Sequence, residues 1–327
     1  MAINLLNIKP HKVSRDLSGY ITFIYGGYKT GKTTLAAQMD GALLLAFERG
    51  YNALPGVVAQ DITSWTEMRT VYRELKKPEV KAVYKAVVVD TIDVASEFCK
   101  KYICQQNDIE DLGDLGYGKG WMKFKDEFNE IFRGLTQLGY AIYFIGHDKE
   151  GKDDKGNITN IRPALSNATR EVIAGMSDVF GYARQSGEGQ MSSLVLRDKT
   201  GFIECGCRFK YVPDVIPMNY TALVNAIATA IDKEAAETGG IYVTDEKLAA
   251  VEVPTYDYEA LMKEFQQLSG ELVNKNQAYY VPRITSIIDK YLGKGKKISD
   301  ATPEQAEFIS LIVGEIKDDL LPQMENK

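Results

Sequence analysis

Between residues 20 and 232 the chain alternates two kinds of apolar pattern. Short, mostly apolar runs at 20–25, 42–47, 85–89 and 141–146 have the length and continuity of strands buried on both faces. Between them lie stretches with helical spacing and no breaker, at 33–39, 64–76, 92–106 and 122–137. This alternation predicts an α/β fold, a mostly parallel sheet flanked by helices. Residues 191–212 read as two or more further strands, turning at Asp198-Lys199-Thr200-Gly201. Past Asp232 the pattern changes. An acidic segment with Gly239-Gly240 and Pro254 reads as a linker, and after it Leu261, Phe265, Leu268 and Leu272, then Ile284, Ile287, Ile288 and Tyr291, repeat at helical spacing. A last helix is announced by Thr302-Pro303-Glu304-Gln305, with Thr302 as N-cap and Gln305 closing a capping box. The predicted organisation is a core over 1–232, an acidic linker over 233–256 and a small three-helix module over 257–327.

With 327 residues, 45% of them apolar, the chain can bury a large core. No apolar run approaches the roughly 20 residues of a membrane span, and Met1-Ala2-Ile3-Asn4 lacks the layout of a secretory signal, so the expected location is the cytoplasm with no membrane partner. Four cysteines, Cys99, Cys104, Cys205 and Cys207, fit a reducing compartment, and Cys205-x-Cys207 has the wrong spacing for a zinc knuckle. The net charge is −6, and of the 39 basic and 45 acidic residues 11 and 17 lie from Lys233 onward. Residues 1–232 are therefore neutral overall, and a nucleic acid would have to be held by local basic loops.

The strand at 20–25 runs into Gly26-Gly27-Tyr28-Lys29-Thr30-Gly31-Lys32-Thr33-Thr34, which is G-x-x-x-x-G-K-T, the phosphate-binding P-loop. Its chemistry needs these residues in this order. Glycines let successive backbone N–H groups curl around the β-phosphate, Lys32 bridges the β- and γ-phosphates, and the Thr33 hydroxyl holds Mg²⁺. The helix that follows directs its N-terminus at the phosphates. ATP with Mg²⁺ is the expected ligand.

Three further residues end apolar strands at the rim where ligands of such sheets bind. Asp90 is the expected second carboxylate of the Mg²⁺ site. It is followed by Thr91 rather than Glu, so the water-activating base must come from elsewhere, and Glu48 is the candidate. His147, ending the run 141–146, is placed to sense the γ-phosphate and relay its presence to the next loop.

Taken together, Gly26–Thr34, Glu48-Arg49-Gly50, Val88-Val89-Asp90-Thr91, Gly116-Tyr117-Gly118-Lys119-Gly120 and Ile145-Gly146-His147 resemble the phage-encoded AAA-domain nucleotide-binding proteins, a group similar to RecA and KaiC in its core that includes single-strand annealing proteins of the Sak group. The likeness spans roughly residues 15–230. It implies a RecA-like P-loop NTPase fold in which the 141–146 strand lies between the P-loop and Asp90 strands. It also implies a homo-oligomeric ring or filament with ATP between subunits. A basic residue late in such cores reaches the neighbour's γ-phosphate, and Arg208 and Lys210 lie at the matching place, in an order that departs from the Lys-x-Arg of KaiC-like proteins.

RecA-like proteins place a DNA loop between the Asp90 and His147 strands. Here that stretch offers Tyr117 and Trp121 for stacking on bases and Lys119 and Lys123 for phosphates. Lys149, Lys152, Lys155 and Arg162, around a hairpin turning at Lys155-Gly156-Asn157, form a second basic loop, and Gly293–Lys297 a third. The leading reading is a phage ATPase acting on single-stranded DNA in recombination, annealing or replication. Two alternatives stay open. One is a nucleotide-gated protein whose acidic C-terminal module recruits a phage or host replication or recombination partner. The other is a small-molecule kinase with Arg162, Arg170 and Arg184 as lid.

Overall fold

The computed structural model describes residue 6 and residues 9–185, 192–248 and 256–325. Met1–Asn4, residue 191 of the expected strand region and Pro254 of the expected linker lie outside them. Two compact units divide the chain, residues 1–251 and 252–327.

In the first unit the elements follow as β1 (Val13–Ser14), β2 (Ile21–Gly26), α1 (Lys32–Ala37), β3 (Ala42–Ala46), β4 (Ala59–Asp61), α2 (Trp65–Glu74), α3 (Pro78–Val83), β5 (Ala86–Asp90) and α4 (Ile92–Gln106). They continue as α5 (Lys119–Thr136), β6 (Ala141–Gly146), β7 (Asp148–Lys152), β8 (Ile158–Pro163), α6 (Asn167–Met176), β9 (Val179–Arg184), β10 (Ser193–Val195), β11 (Gly206–Cys207), β12 (Val215–Pro217), α7 (Tyr220–Thr238) and β13 (Val243–Thr244). The main sheet runs β12-β10-β9-β2-β6-β5-β3-β4, with β11 also paired to β9. From β9 to β4 every pairing is parallel, and β10, β11 and β12 add antiparallel strands at one edge. With β6 between the P-loop strand β2 and the Asp90 strand β5, this is the RecA-like P-loop fold that the sequence resemblance implied.

The strands read as continuous apolar runs because the sheet is covered on both faces. Alternate residues part into two cores. Phe23, Tyr25, Leu45, Val87, Val89, Ile142 and Phe144 pack with Trp65, Met68, Cys99, Phe128 and Phe132 of α2, α4 and α5. Ile24, Leu44, Val88, Tyr143 and Ile145 pack with Leu35 of α1 and Leu223, Ile227 and Ile231 of α7. Each fully buried Leu, Val or Phe contributes roughly 1.5–3 kcal/mol, so the register of the four central strands is strongly fixed. The consequence for function is geometric. The C-terminal ends of β2, β3, β5 and β6 come to one rim, and with them the P-loop, Glu48, Asp90 and His147.

Part of the expected linker is built into the first unit. Helix α7 continues to Thr238 and is closed by Gly239 in the left-handed conformation, and β13 then pairs in parallel with β1. Arg15 ties this return to the body through ion pairs with Asp232 and Asp245. Acidic residues and glycines suggested a solvated tether, but here the acids are ion-pair partners and the glycine is a helix stop.

The second unit is helical: α8 (Tyr258–Leu292), α9 (Ala306–Glu315) and α10 (Leu321–Glu325). Helix α8 is two helices joined at Asn276, whose backbone leaves the helical region and whose side chain accepts from the N–H of Tyr279. Phe265, Leu268 and Leu272 before the break and Ile284, Ile287 and Ile288 after it share one core with Ile309, Ile312 and Ile316. Among the described residues no helix is long and apolar enough to cross a membrane.

Candidate nucleotide site

The P-loop is shaped by two glycines, one for a close approach and one for its backbone conformation. A Cβ on Gly26 would lie 2.4 Å from the Ala183 carbonyl oxygen of the neighbouring strand. Gly31, at φ +92°, is the left-handed N-cap of α1. Lys29 also takes a positive φ, +60°. Lys32 is buried, and its ammonium donates to the carbonyl oxygens of Gly26 and Gly27 at 2.8 and 2.7 Å. Burial lowers its pKa, against the pull of Asp90, Asp148, Asp93 and Glu48.

Thr33 Oγ1 donates to Asp90 Oδ2 at 2.7 Å. Asp90 is itself buried, and that burial pushes its carboxyl up to about 6, although the Thr33 hydroxyl and Lys32 favour the anion. A Cβ on Gly50 would lie 3.5 Å from Thr33 Oγ1 and 3.8 Å from Asp90 Oδ2, so the glycine keeps open the space beside this pair. Thr91 Oγ1, in the same wall, is buried without a hydrogen-bond partner. Hard oxygen donors beside a cleared space fit a Mg²⁺ ion that keeps most of its water.

Glu48, just past the end of β3, lines the same cavity. The backbone N–H groups of Phe47 and Glu48 both donate to the Asp90 carbonyl, and Tyr51 and Arg49 anchor the following turn on Asp61 at the end of β4. The Glu48 carboxylate stays partly exposed, with Oε2 3.7 Å from His147 Nε2. His147 Nδ1 is 2.7 Å from Asp93 Oδ2, and the tyrosine ring of Tyr28 lies over the imidazole at 4.5 Å. The Asp93 hydrogen bond raises the imidazole pKa, burial opposes it, and Glu48 adds to the rise. Tyr28–Thr34, Glu48, Gly50, Asp90, Thr91 and His147 line one cavity of about 350 Å³.

Asp93 was not singled out from the sequence. An acidic residue in the first turn of a helix reads as a dipole partner, which hides its role as the group gripping His147.

Other expected residues lie elsewhere. Arg208 pairs with Asp178 and donates to the Gly175 carbonyl, and Lys210 pairs with Glu237. Asp178 also accepts from the N–H of Ile21, the first residue of β2. Arg208 is thus at the N-terminal end of the strands, about 17 Å of strand away from the P-loop of its own chain. Of the kinase-lid arginines, Arg170 is paired with Glu204, Arg162 sits on β8 opposite Lys149, and Arg184 ends β9.

The stretch 116–123 is a loop only as far as Gly118; α5 already begins at Lys119. Gly120 serves packing, since a Cβ there would meet the Leu112 carbonyl oxygen at 2.1 Å. Tyr117 is fully exposed at φ +48° between two left-handed glycines. Trp121 is 43% exposed and packs edge-on against Phe124, and Lys123 Nζ donates to Asn107 Oδ1. The basic hairpin after His147 is formed by β7 and β8, its turn closed by Asp153 accepting from the N–H groups of Lys155 and Asn157.

The AAA domain family matches residues 18–202 of this chain. The SPbeta prophage-derived uncharacterized protein YorG of Bacillus subtilis (strain 168) is 29% identical over 333 residues, 97% of this chain and 99% of that protein. The crystal structure of the RadB recombinase aligns with a TM-score of 0.39 and 16% identity over 63% of this chain and 90% of its own, too distant to inform the site. The family match spans the P-loop, Glu48, Asp90, Asp93 and His147, and the chain belongs to the AAA domain family of P-loop nucleotide-binding proteins.

Proposed function

We propose that this chain is an ATP-hydrolysing phage protein of the Sak-type annealing group that acts on single-stranded DNA in recombination, annealing or replication in the bacterial host cytoplasm. The observation that carries the ATPase reading is one cavity that gathers both the Thr33–Asp90 pair and the Glu48–His147 pair at the mouth of the P-loop. The backbone N–H groups of Gly27 to Lys32 cradle the phosphates, and Lys32 exchanges its carbonyl partners for phosphate oxygens. Thr33 and Asp90 hold Mg²⁺, which when bound neutralises charge on the β- and γ-phosphates. Glu48 orients the attacking water and accepts its proton, a contribution of typically 10²- to 10⁴-fold. His147 faces the γ-phosphate and reports its presence to the β7–β8 hairpin that follows it directly.

Phage origin is supported by likeness to the SPbeta prophage-derived protein along nearly the whole chain. Single-stranded DNA is supported by Tyr117, held out from the surface by backbone that a tyrosine rarely adopts, with Trp121, Lys119 and Lys123 on the first turns of α5. Arg208 or Lys210 acts in trans in a ring or filament, since Arg208 is remote from its own phosphate cradle.

One observation favours the partner-recruiting alternative. Phe308 and Leu311 are 41% and 46% exposed one turn apart on α9, in a unit with 9 basic and 13 acidic residues. ATP turnover measured with and without an unstructured oligonucleotide, alongside particle mass with and without nucleotide, tests the reading. DNA-stimulated turnover by an assembled species supports it; a monomer with DNA-independent turnover favours partner recruitment.

A further inference from the structure

A single carboxylate grips His147 twice. Asp93 Oδ1 accepts the backbone N–H of His147 at 3.1 Å, and Oδ2 faces Nδ1 at 2.7 Å. An ionised carboxylate only accepts, so Nδ1 carries a proton and the ring turns Nε2 toward Glu48 Oε2, 3.7 Å away. The arrangement is held from several sides. Tyr28 covers the ring, and the imidazole is only 12% exposed. A Cβ on Gly146 would lie 3.2 Å from the Phe23 ring and 3.5 Å from Asp93 Oδ1, so glycine lets β6 bring His147 close to α4.

With Nδ1 committed to Asp93, Nε2 offers a hydrogen bond only when the ring carries its second proton, and it then has one N–H to give. Glu48 Oε2, an ion-pair neighbour at 3.7 Å and just beyond hydrogen-bond distance in this structure, is one candidate acceptor, and a γ-phosphate oxygen in the adjoining cavity would be the other. We propose that Asp93 is a positioning residue for hydrolysis, fixing His147 so that the single Nε2–H is contested between Glu48 and the γ-phosphate: ATP draws it away and leaves the Glu48 carboxylate free to act as base. The inference rests on the ATPase reading above. The charged groups around the ring suit it, Asp93 from α4 and Glu48 from the end of β3 favouring the imidazolium, and Lys32 of the P-loop opposing it.

The chain has two histidines, His11 and His147, so ¹⁵N-histidine spectra of the full-length protein isolate His147 by comparison with His11→Gln. The expected wild-type result is an Nδ1–H tautomer in the neutral ring, with a titration midpoint above that of ordinary imidazole. Asp93→Asn should shift the neutral ring to Nε2–H, because the amide can donate to Nδ1, and should lower the midpoint. It should cut kcat by about tenfold to a hundredfold while affinity for a non-hydrolysable ATP analogue stays within about twofold. In a His147→Gln background the same substitution should cost nothing further. Should Asp93→Asn fold poorly, Asp93→Glu, which keeps the charge but displaces it, should loosen the tautomer preference in the same spectra.

A wild-type ring in the Nε2–H form, or a tautomer indifferent to both Asp93 variants, overturns the proposal. So does an Asp93→Asn penalty as large without His147 as with it. Full-rate hydrolysis by Glu48→Gln would instead overturn the base assignment and leave the tautomer result standing.

Discussion

The hydroxyl of Thr33 and the carboxylate of Asp90 meet at 2.7 Å, though 57 residues separate them in the chain. The P-loop turn at the end of β2 and the end of β5 reach the same rim because β6 holds the two strands in register between them. Both oxygens border the space that Gly50 leaves open.

The burial of Asp90 has a cost that pH should expose. Burial pushes the Asp90 carboxyl up to about 6, so the folded chain binds that proton more tightly than the unfolded chain does. The sign follows: stability from this group is fullest below about pH 4 and is lost as pH rises through about 6, by on the order of 3 kcal/mol. In chelator without nucleotide, Asp90→Asn should be more stable than wild type at pH 7, and the difference should shrink toward pH 4. Thermal melts at the two pH values check this. A wild-type advantage at pH 7 without metal would contradict it.

The tip before α5 separates exposure from packing. Tyr117 makes a free projection, so Tyr117→Ala should weaken single-strand binding by about 1–3 kcal/mol with an unchanged melting temperature. Trp121→Ala should weaken binding and also lower stability, because its ring packs on Phe124. Lys119→Ala should reduce the salt slope by roughly 0.7. Affinity for an unstructured oligonucleotide across salt concentrations, with a non-hydrolysable ATP analogue present, measures all three. Binding that survives loss of Tyr117, Lys119, Trp121 and Lys123 together would move the DNA to the β7–β8 hairpin or the Gly293–Lys297 loop.

Arg208 and Lys210 lend themselves to a mixing experiment. Each is ion-paired within its own chain: the Lys210–Glu237 pair is exposed and worth little to stability, whereas Arg208 pairs with the mostly buried Asp178 and its loss carries some stability cost. The Arg208→Ala/Lys210→Ala double variant should fold with a lowered melting temperature and bind ATP but turn over poorly. Mixed with Lys32→Ala, it should regain turnover in hybrid assemblies. A full-rate monomeric double variant would remove both residues from catalysis.

Much of the core was legible because its signals are local. The limits of β6 and α4 follow from unbroken apolar periodicity, and the P-loop from backbone demands that only glycine meets. What escaped depends on partners distant in sequence. Gly120 looked like loop glycine, yet its lack of a Cβ is set by the Leu112 carbonyl pressing on a helix. Asp93 carries no signal in the sequence beyond an acid in the first turn of a helix, and the parallel pairing of β5 with β6 brings it to His147. The two-residue β13 has too short a pattern to be read, and its pairing with β1 joins segments some 230 residues apart. A substitution tests the packing account: Gly120→Ala must move the Leu112 turn and should destabilise by about 1–3 kcal/mol, seen as a lower urea midpoint.

Steady-state ATP turnover with Mg²⁺, compared between wild type, Lys32→Ala and Glu48→Gln, tests the central claim most directly. Lys32→Ala should lose ATP binding and turnover together. Glu48→Gln keeps the shape of the wall and removes the base, so it should bind ATP as wild type does while turnover falls by about 10²-fold or more. Wild-type turnover in Glu48→Gln would contradict the account.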